Sequence, residues 1–220
     1  MSTLYGGKDP RDIAVYSLSD ASWYLKLPRS TLRGWVAQNG VIAPASPGLL
    51  SFNNLVECYT LSAMRRDHGL KLDRIRTALR YVSERMGKAR PLLHSNFMTD
   101  GLDIFVERGV LVNASGEGQL PIQEVVRGYL QRVEWDSFQA PIRLFPLTRP
   151  GAQADAPRRV VIDPRISFGR PVVAGTGVPT EVVAGRFRAG ESPAEIAEDF
   201  GILEEDVLES LRWEGQKQAA

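Results

Sequence analysis

Residues 18–36 read LSDASWYLKLPRSTLRGWV, and this stretch decides how the front of the chain folds. Ser19 is placed to cap a short helix, because its hydroxyl can accept a hydrogen bond from an unpaired amide of the first turn. Pro28 then interrupts the helical pattern, and Ser30 is placed to cap a second helix. Three apolar residues of that helix recur at three- and four-residue steps and fall on one inward face: Leu32, Trp35 and Val36.

The opposite face of the second helix is polar, and it carries Arg29, Thr31, Arg33 and Gln38. Two short helices joined by a tight turn, with hydrogen-bond donors on the exposed face of the second, form a helix-turn-helix that fits the major groove of DNA. An ordinary helical hairpin with a solvated polar face is the alternative that this stretch leaves open.

The composition is that of a soluble globular protein. The chain has 220 residues, of which 43% are hydrophobic and 24% are charged. It is long enough for one or two domains. No apolar run reaches the roughly 20 residues that a membrane span needs, and residues 1–12 lack the order of a signal peptide. We therefore expect a cytoplasmic protein without a membrane partner.

The chain offers few residues for metal or covalent chemistry. Its single cysteine, Cys58, lies among apolar residues and is predicted to be a buried structural thiol. The two histidines, His68 and His94, are far apart and have no second ligand at metal spacing. Thr176 has no nearby base. We expect no metal, no cofactor and no catalytic residue, which argues against an enzyme.

The net charge of +1 hides an asymmetry between the two ends of the chain. Residues 1–90 hold 14 Lys and Arg against 7 Asp and Glu, whereas residues 91–220 hold 13 against 19. Residues 1–90, the basic front, therefore have a net charge of +7, and residues 91–220 have a net charge of −6. A basic front with donors on a helix is typical of a protein that binds a polyanion.

The segments after the first two helices extend the pattern. Residues 39–52 have two Pro, two Gly and two short apolar runs, Val41-Ile42 and Leu49-Leu50-Ser51-Phe52, and they predict a two-stranded wing. Helical periodicity follows over 54–66 and 72–86.

This order, together with the core Thr31-Leu32-Arg33-Gly34-Trp35, resembles the winged DNA-binding domain of the MerR family over about residues 12–87. The sequence departs from the family at the wing, where Leu50-Ser51-Phe52 stands in place of the usual arginine before an aromatic residue. The resemblance implies base and phosphate contacts from the second helix. Arg33 and Thr31 are the expected base readers. The full set of expected DNA-binding residues is Lys26, Arg29, Ser30, Thr31, Arg33, Arg65 and Arg66.

The middle of the chain is the least informative part. Residues 101–113 predict a hairpin, 122–133 a helix and 142–147 a strand, and the Pro- and Ala-rich residues 150–157 predict a linker. The plain inference is a small mixed α/β module. Its apolar strands could form a dimer surface or only their own core.

The second informative stretch is residues 160–183, VVIDPRISFGRPVVAGTGVPTEVV, in which Gly and Pro separate short β-branched runs. Three helices are predicted after it, over 181–189, from a capping box at Ser192 to Glu195, and over 203–213. Residues 158–214 resemble a family of unknown function that is associated with VapB-like antitoxins. The resemblance implies a type II antitoxin whose toxin is a PIN-like ribonuclease.

The predicted fold is mainly α with short β elements, in three domains: a winged helix-turn-helix over 1–90, a mixed module and linker over 91–157, and a three-helix domain over 158–220. We expect an antitoxin that neutralises a PIN-like ribonuclease and represses its own operator as a homodimer on double-stranded DNA. The expected toxin-contacting residues are Arg165, Arg170 and Arg186. The alternative is a MerR-like regulator that senses a small ligand.

Overall fold

A computed structural model describes residues 6–37, 40–66, 72–98, 101, 126–148 and 156–215. The chain divides into two compact units, residues 1–142 (unit 1) and 143–220 (unit 2). The division into three domains stays a prediction. Each unit is described by itself below.

In unit 1, the 3₁₀ turn Pro10–Asp12 and strand β1 (Tyr16–Ser17) are followed by two short helices joined by a tight turn, and these two helices are as predicted. Helix α1 spans Leu18–Leu25 and helix α2 spans Arg29–Val36. The expectation that Ser19 caps α1 is wrong. The N-cap is Ser17, whose hydroxyl accepts a hydrogen bond of 3.1 Å from the Asp20 amide, while the Asp20 carboxylate accepts one of 3.0 Å from the Ser17 amide. Ser17 has the extended backbone that a cap requires, whereas Ser19 already lies in the first turn.

The cap predicted for α2 is also wrong, because the N-cap residue is Pro28 and no side chain caps this helix. Ser30 lies inside the first turn. The predicted inward face is correct for Leu32 and Trp35, which are fully buried, and Val36 is half-buried. Burial of these two large side chains fixes which face of α2 points outward.

The predicted pairing within the wing is wrong. Strand β2, Leu49–Leu50, pairs antiparallel with β1, Tyr16–Ser17, and not with the run Val41-Ile42. The amides of Val41 and Ile42 instead donate to the Trp35 carbonyl at 2.9 and 3.0 Å, close to the end of α2. These two donors are therefore not available for a strand ladder.

Two longer helices carry most of the core of unit 1. Helix α3 spans Phe52–Arg66 and helix α4 spans Leu72–Met86, close to the predicted ranges. The buried face of α4 consists of Ile75, Ala78, Leu79 and Val82. Cys58 of α3 is fully buried, as predicted, and the lack of solvent raises the pKa of its thiol well above the ordinary value.

The rest of unit 1 consists of short elements. Two 3₁₀ turns, Pro91–Leu93 and Ser95–Met98, follow α4. Residues 126–130 are helical, and strand β3 (Val133–Trp135) forms a two-stranded sheet with β4 (Pro141–Leu144), whose last two residues, Arg143 and Leu144, are counted in unit 2. Val133 therefore belongs to a strand and not to the predicted helix. The hairpin predicted over 101–113 and the linker predicted over 150–157 lie almost wholly outside the described residues.

Unit 2 contains the third of the two-stranded sheets in the described ranges, and helices follow it. Strand β5, Val160–Val161, pairs antiparallel with β6, Val172–Val173, in the register Val160 to Val173. Helices α5 (Thr180–Arg188), α6 (Pro193–Phe200) and α7 (Glu204–Gly215) follow, close to the predicted ranges. The predicted capping box at the start of α6 is confirmed. The core of unit 2 contains Val173, Val183, Ile196, Ala197 and Val207.

Among the residues that the structure describes, no helix has the length and apolar character needed to cross a bilayer.

Candidate functional site

The outward face of α2 is the first candidate surface, and we call it the α2 surface. It consists of Arg29, Ser30, Arg33 and Gly34, all of which are exposed. Thr31 is half-buried at its edge. Neither Arg29 nor Arg33 forms an ion pair with any residue that the structure describes. Their guanidinium groups are therefore available to an external acceptor.

The start of α2 adds a partial positive charge to this surface. The amides of Thr31 and Leu32 already donate to the Pro28 carbonyl at 2.9 and 3.2 Å, and no side chain caps the first turn, so the outward backbone donors are the amides of Arg29 and Ser30. The N-terminus of a helix attracts anions because its first amides point outward along the helix dipole. Arg29 and Ser30 lie in that turn, so the α2 surface combines backbone and side-chain donors.

The other residues predicted to bind DNA are placed differently. Lys26 ends α1 in the left-handed conformation, with φ of 53°, and its ammonium lies 5.4 Å from the centre of the Trp23 ring. This cation–π contact directs the Lys26 side chain back onto α1 and not along the α2 surface. The side chains of Arg65 and Arg66, at the end of α3, lie outside the described part of the chain.

A cleft of about 390 Å³ lies in unit 1, between the segment that follows α2 and one face of α4. Glu57 lies in it, and Arg90 binds this carboxylate with two hydrogen bonds of 2.9 and 2.6 Å. Burial lowers the pKa of Arg90, but the hydrogen bonds to Glu57 outweigh this and raise it. Asn54 also donates to Glu57, at 3.1 Å. This network was not predicted from the sequence, because Arg90 is 33 residues away from Glu57 in the chain.

No group of three His, Cys, Asp or Glu side chains in the described ranges lies close enough together to hold a metal ion.

A buried carboxylate organises the second candidate surface, in unit 2. Asp163 is 1% exposed and accepts hydrogen bonds from the Arg165 amide at 2.9 Å and from the Arg165 guanidinium at 3.1 and 3.0 Å. Arg143 donates to it at 3.0 Å. Burial raises the pKa of Asp163, but the hydrogen bonds from Arg165 and Arg143 outweigh this effect and hold the pKa below its ordinary value.

All three arginines predicted to contact a toxin form ion pairs within unit 2. Arg165 binds the buried Asp163. Arg170 pairs with Glu181 of α5 at 2.8 Å, and both side chains are about half exposed or more. Arg186 binds Glu191 and, at 2.5 Å, Asp199; hydrogen bonds to these two carboxylates raise the pKa of its guanidinium. The free energy needed to break these ion pairs, and so to free each arginine for an external carboxylate, therefore differs among the three.

The turn Ile166–Gly169, which we call the Phe168 turn, was not expected from the sequence. Ser167 and Phe168 have φ of 48° and 54°, and Gly169 has φ of 77°. This left-handed region is favourable for glycine but not for residues with a side chain. The Phe168 ring nevertheless stands out from the surface, with 65% of the residue exposed.

Comparisons with known proteins bear on both units. Residues 160–213 match the family model DUF433, a protein family of unknown function. A Mycobacterium tuberculosis protein named as the antitoxin VapB45 is 31% identical in an alignment that covers 91% of this chain and 93% of that protein. The crystal structure of Rv2018 from Mycobacterium tuberculosis superposes with a TM-score of 0.73 and 28% identity, over 90% of this chain and 98% of that one.

Proposed function

The chain belongs to the family of antitoxin VapB45, and from this premise we propose that it neutralises a PIN-like ribonuclease and represses its own operator as a homodimer. Membership in an antitoxin family supports a toxin partner. The DNA-binding part of the proposal rests on one observation, the α2 surface, whose two arginines have no acceptor among the described residues.

The chemistry of the α2 surface suits double-stranded DNA. A guanidinium can bind the two acceptors on the major-groove edge of guanine, and a helix N-terminus and hydroxyls can bind phosphate. Arg33 is the better candidate for base contacts, because it lies one turn into the helix. Arg29 and Ser30, in the first turn, are candidates for phosphate contacts. A homodimer would present two such helices to the two halves of a pseudo-palindromic operator.

The DNA-binding proposal is tested by a gel shift with the DNA that lies upstream of the gene for this chain. We expect Arg33→Ala to weaken binding at least tenfold, since a base contact of this kind is worth about 1–3 kcal/mol. The matched control is Arg188→Ala, which removes the same charge from an exposed arginine of unit 2. Equal binding by both variants would exclude α2 as the reading helix.

The toxin-binding proposal rests on unit 2. A PIN-like ribonuclease cleaves RNA with clustered carboxylates and a divalent metal, so an arginine of the antitoxin can inhibit it by binding those carboxylates. Arg170 suits this role best of the three candidates. Its pair with Glu181 is exposed, and such pairs contribute little to stability, so Arg170 can exchange partners. Moving Arg165 would leave the Asp163 carboxylate buried with fewer donors, which is costly.

Expression of the neighbouring gene, with and without this chain, tests the antitoxin role directly. We expect the neighbouring product alone to arrest growth and degrade RNA, and this chain to restore growth and co-purify with that product. A harmless neighbour that this chain does not bind would contradict the proposal and favour a ligand-sensing regulator.

A further inference from the structure

We propose that the cleft of unit 1 binds a small organic anion, with one carboxylate or phosphate group on an apolar body, and that Arg80 binds the anionic group. The proposal goes beyond the proposed function and does not depend on it. The cleft has a volume of about 390 Å³, which is in the range of small-molecule sites in proteins. It is lined by residues 40–43, by Glu57 of α3, by one face of α4 and by residues 89–92.

The charge of the lining favours an anion. Three of the lining residues are basic, Arg76, Arg80 and Arg90, and one is acidic, Glu57. Arg90 binds Glu57 through two hydrogen bonds and Asn54 donates a third, so this carboxylate is already neutralised by its own partners. The lining therefore holds three positive charges against one negative charge, and the excess is available to a ligand.

Arg80 is the basic residue of the lining that has no acceptor. It lies on α4, it is exposed, and it forms no ion pair or hydrogen bond with any residue in the described ranges. Arg76, one turn earlier, binds Asp73 at 2.7 Å. A guanidinium binds a carboxylate or a phosphate with paired hydrogen bonds. We therefore assign the anionic group of the ligand to Arg80.

Apolar side chains give the cleft a wall that an inorganic ion would not use. Ile42, Leu79 and Leu92 contribute to the lining, and each of them is at most 8% exposed. This wall is therefore fixed by the core of unit 1 and not by mobile surface side chains. Small-molecule sites combine an apolar lining with a few charged groups that orient the ligand. The lining thus indicates a ligand with an apolar body beside its charge.

Hydrogen bonds hold the wall that residues 40–43 form. The amides of Val41 and Ile42 donate to a carbonyl close to the end of α2, and the Asn54 side chain donates to the Ala43 carbonyl at 2.8 Å. Asn54 also donates to the carboxylate inside the cleft. The site is therefore formed before a ligand arrives, which lowers the entropy lost on binding.

The test follows the amide NMR spectrum of the full-length protein during a titration with phenyl phosphate, which carries one anionic group on an aromatic ring. We expect saturable shifts of the amides that line the cleft, with a Kd of about 1 mM, as is usual for a ligand of about a dozen atoms. Inorganic phosphate and phenol each present one half of this probe. Both should bind at least fivefold more weakly.

Variants distinguish the cleft from the general attraction of an anion to a basic surface. Arg80→Gln should weaken the binding of phenyl phosphate at least tenfold, because it removes the charged donor. Arg74→Gln is the matched control, since Arg74 is an exposed arginine of the same helix outside the lining, and it should bind within twofold of the wild type. Ala89→Phe should abolish binding, because Ala89 is exposed and its larger replacement fills the cleft.

Melting temperatures within about 2 °C of the wild type would show that the variants are folded. An equal loss of affinity in Arg80→Gln and Arg74→Gln would overturn the proposal, as would shifts confined to the α2 surface. Equal affinities for phenyl phosphate and inorganic phosphate would overturn the assignment of an apolar body. A short DNA duplex that shifts the cleft amides, in a protein that does not respond to phenyl phosphate, would assign the cleft to a DNA phosphate and overturn the small-molecule site.

Discussion

Asp163 holds a negative charge inside unit 2 because donors surround it. Its carboxylate is 1% exposed, and Arg143 and Arg165 both bind it. Hydrogen bonds to a charged group contribute about 1.5–3 kcal/mol, and removing one partner leaves the others poorly satisfied. We therefore expect Asp163→Asn to lower the free energy of unfolding of unit 2 by about 2 kcal/mol at pH 7.

The same residue predicts a pH dependence with a definite sign. Because the pKa of Asp163 is lower in the folded than in the unfolded chain, its contribution is complete above the unfolded pKa and is lost as the pH falls through the folded pKa. The difference in stability between the wild type and Asp163→Asn should thus shrink below about pH 4. Denaturant unfolding from pH 7 to pH 3, followed by circular dichroism, measures it. A difference that stays constant over this range would show that the charge of Asp163 is not responsible.

Helix α2 contains a glycine, Gly34, that the packing of the chain does not require. Gly34 lies on the α2 surface, and a Cβ placed there meets no other atom within 4 Å. Glycine in a helix interior costs about 0.5–1 kcal/mol relative to alanine. We expect Gly34→Ala to raise the free energy of unfolding by about this amount and yet to weaken operator binding at least fivefold, because the methyl group obstructs the approach of DNA.

Gly185 of α5 offers a matched control for Gly34. It too lies inside a helix with no atom within 4 Å of a Cβ. Gly185→Ala should raise stability similarly and leave operator binding unchanged. Thermal unfolding and the gel shift, applied to both variants, give the comparison. Unaltered DNA binding by Gly34→Ala would mean that this face of α2 does not approach DNA closely.

The helices of both units could be predicted from the sequence, because their periodicity is a local property. Their starting points could not, since Ser17, Ser19 and Ser30 are all able to cap a helix and the choice depends on which residue has an extended backbone. The partner of β2 was missed for a different reason. A two-residue strand has no alternating pattern, and its partner β1 is distant in the chain.

The candidate surfaces also differ in whether local sequence patterns predict them. The exposed arginines of α2 follow from helical spacing alone. The direction of the Lys26 side chain depends on a left-handed residue at the end of α1, which no pattern marks. The Asp163 cluster depends on Arg143, which is 20 residues away, and the Phe168 turn depends on backbone angles unfavourable for its residues. Both features of unit 2 therefore became visible only in three dimensions.

At the scale of the whole molecule, the distribution of charge separates the two proposed activities. Residues 1–90 carry a net charge of +7 and residues 91–220 a net charge of −6. Binding to DNA releases condensed counterions in proportion to the number of phosphates that the protein neutralises. Binding to a folded protein partner releases no such layer of condensed counterions. The two activities should thus respond differently to salt.

We expect the affinity for operator DNA to fall about 100-fold between 50 and 200 mM salt if a dimer neutralises about four phosphates. Over the same range, the affinity for the ribonuclease should fall less steeply, because a contact between Arg170 and carboxylates releases no layer of condensed counterions. Fluorescence anisotropy with labelled DNA and labelled ribonuclease measures both. A flat salt dependence for DNA would argue against phosphate contacts from the basic front.

The buried thiol of Cys58 allows the local opening of unit 1 to be measured. It is the only cysteine of the chain, it is fully enclosed in α3, and its raised pKa keeps it protonated and unreactive at neutral pH. A thiol reagent can therefore modify it only in molecules in which α3 has transiently left the core. The labelling rate therefore measures how often unit 1 opens, and no cysteine has to be introduced for the measurement.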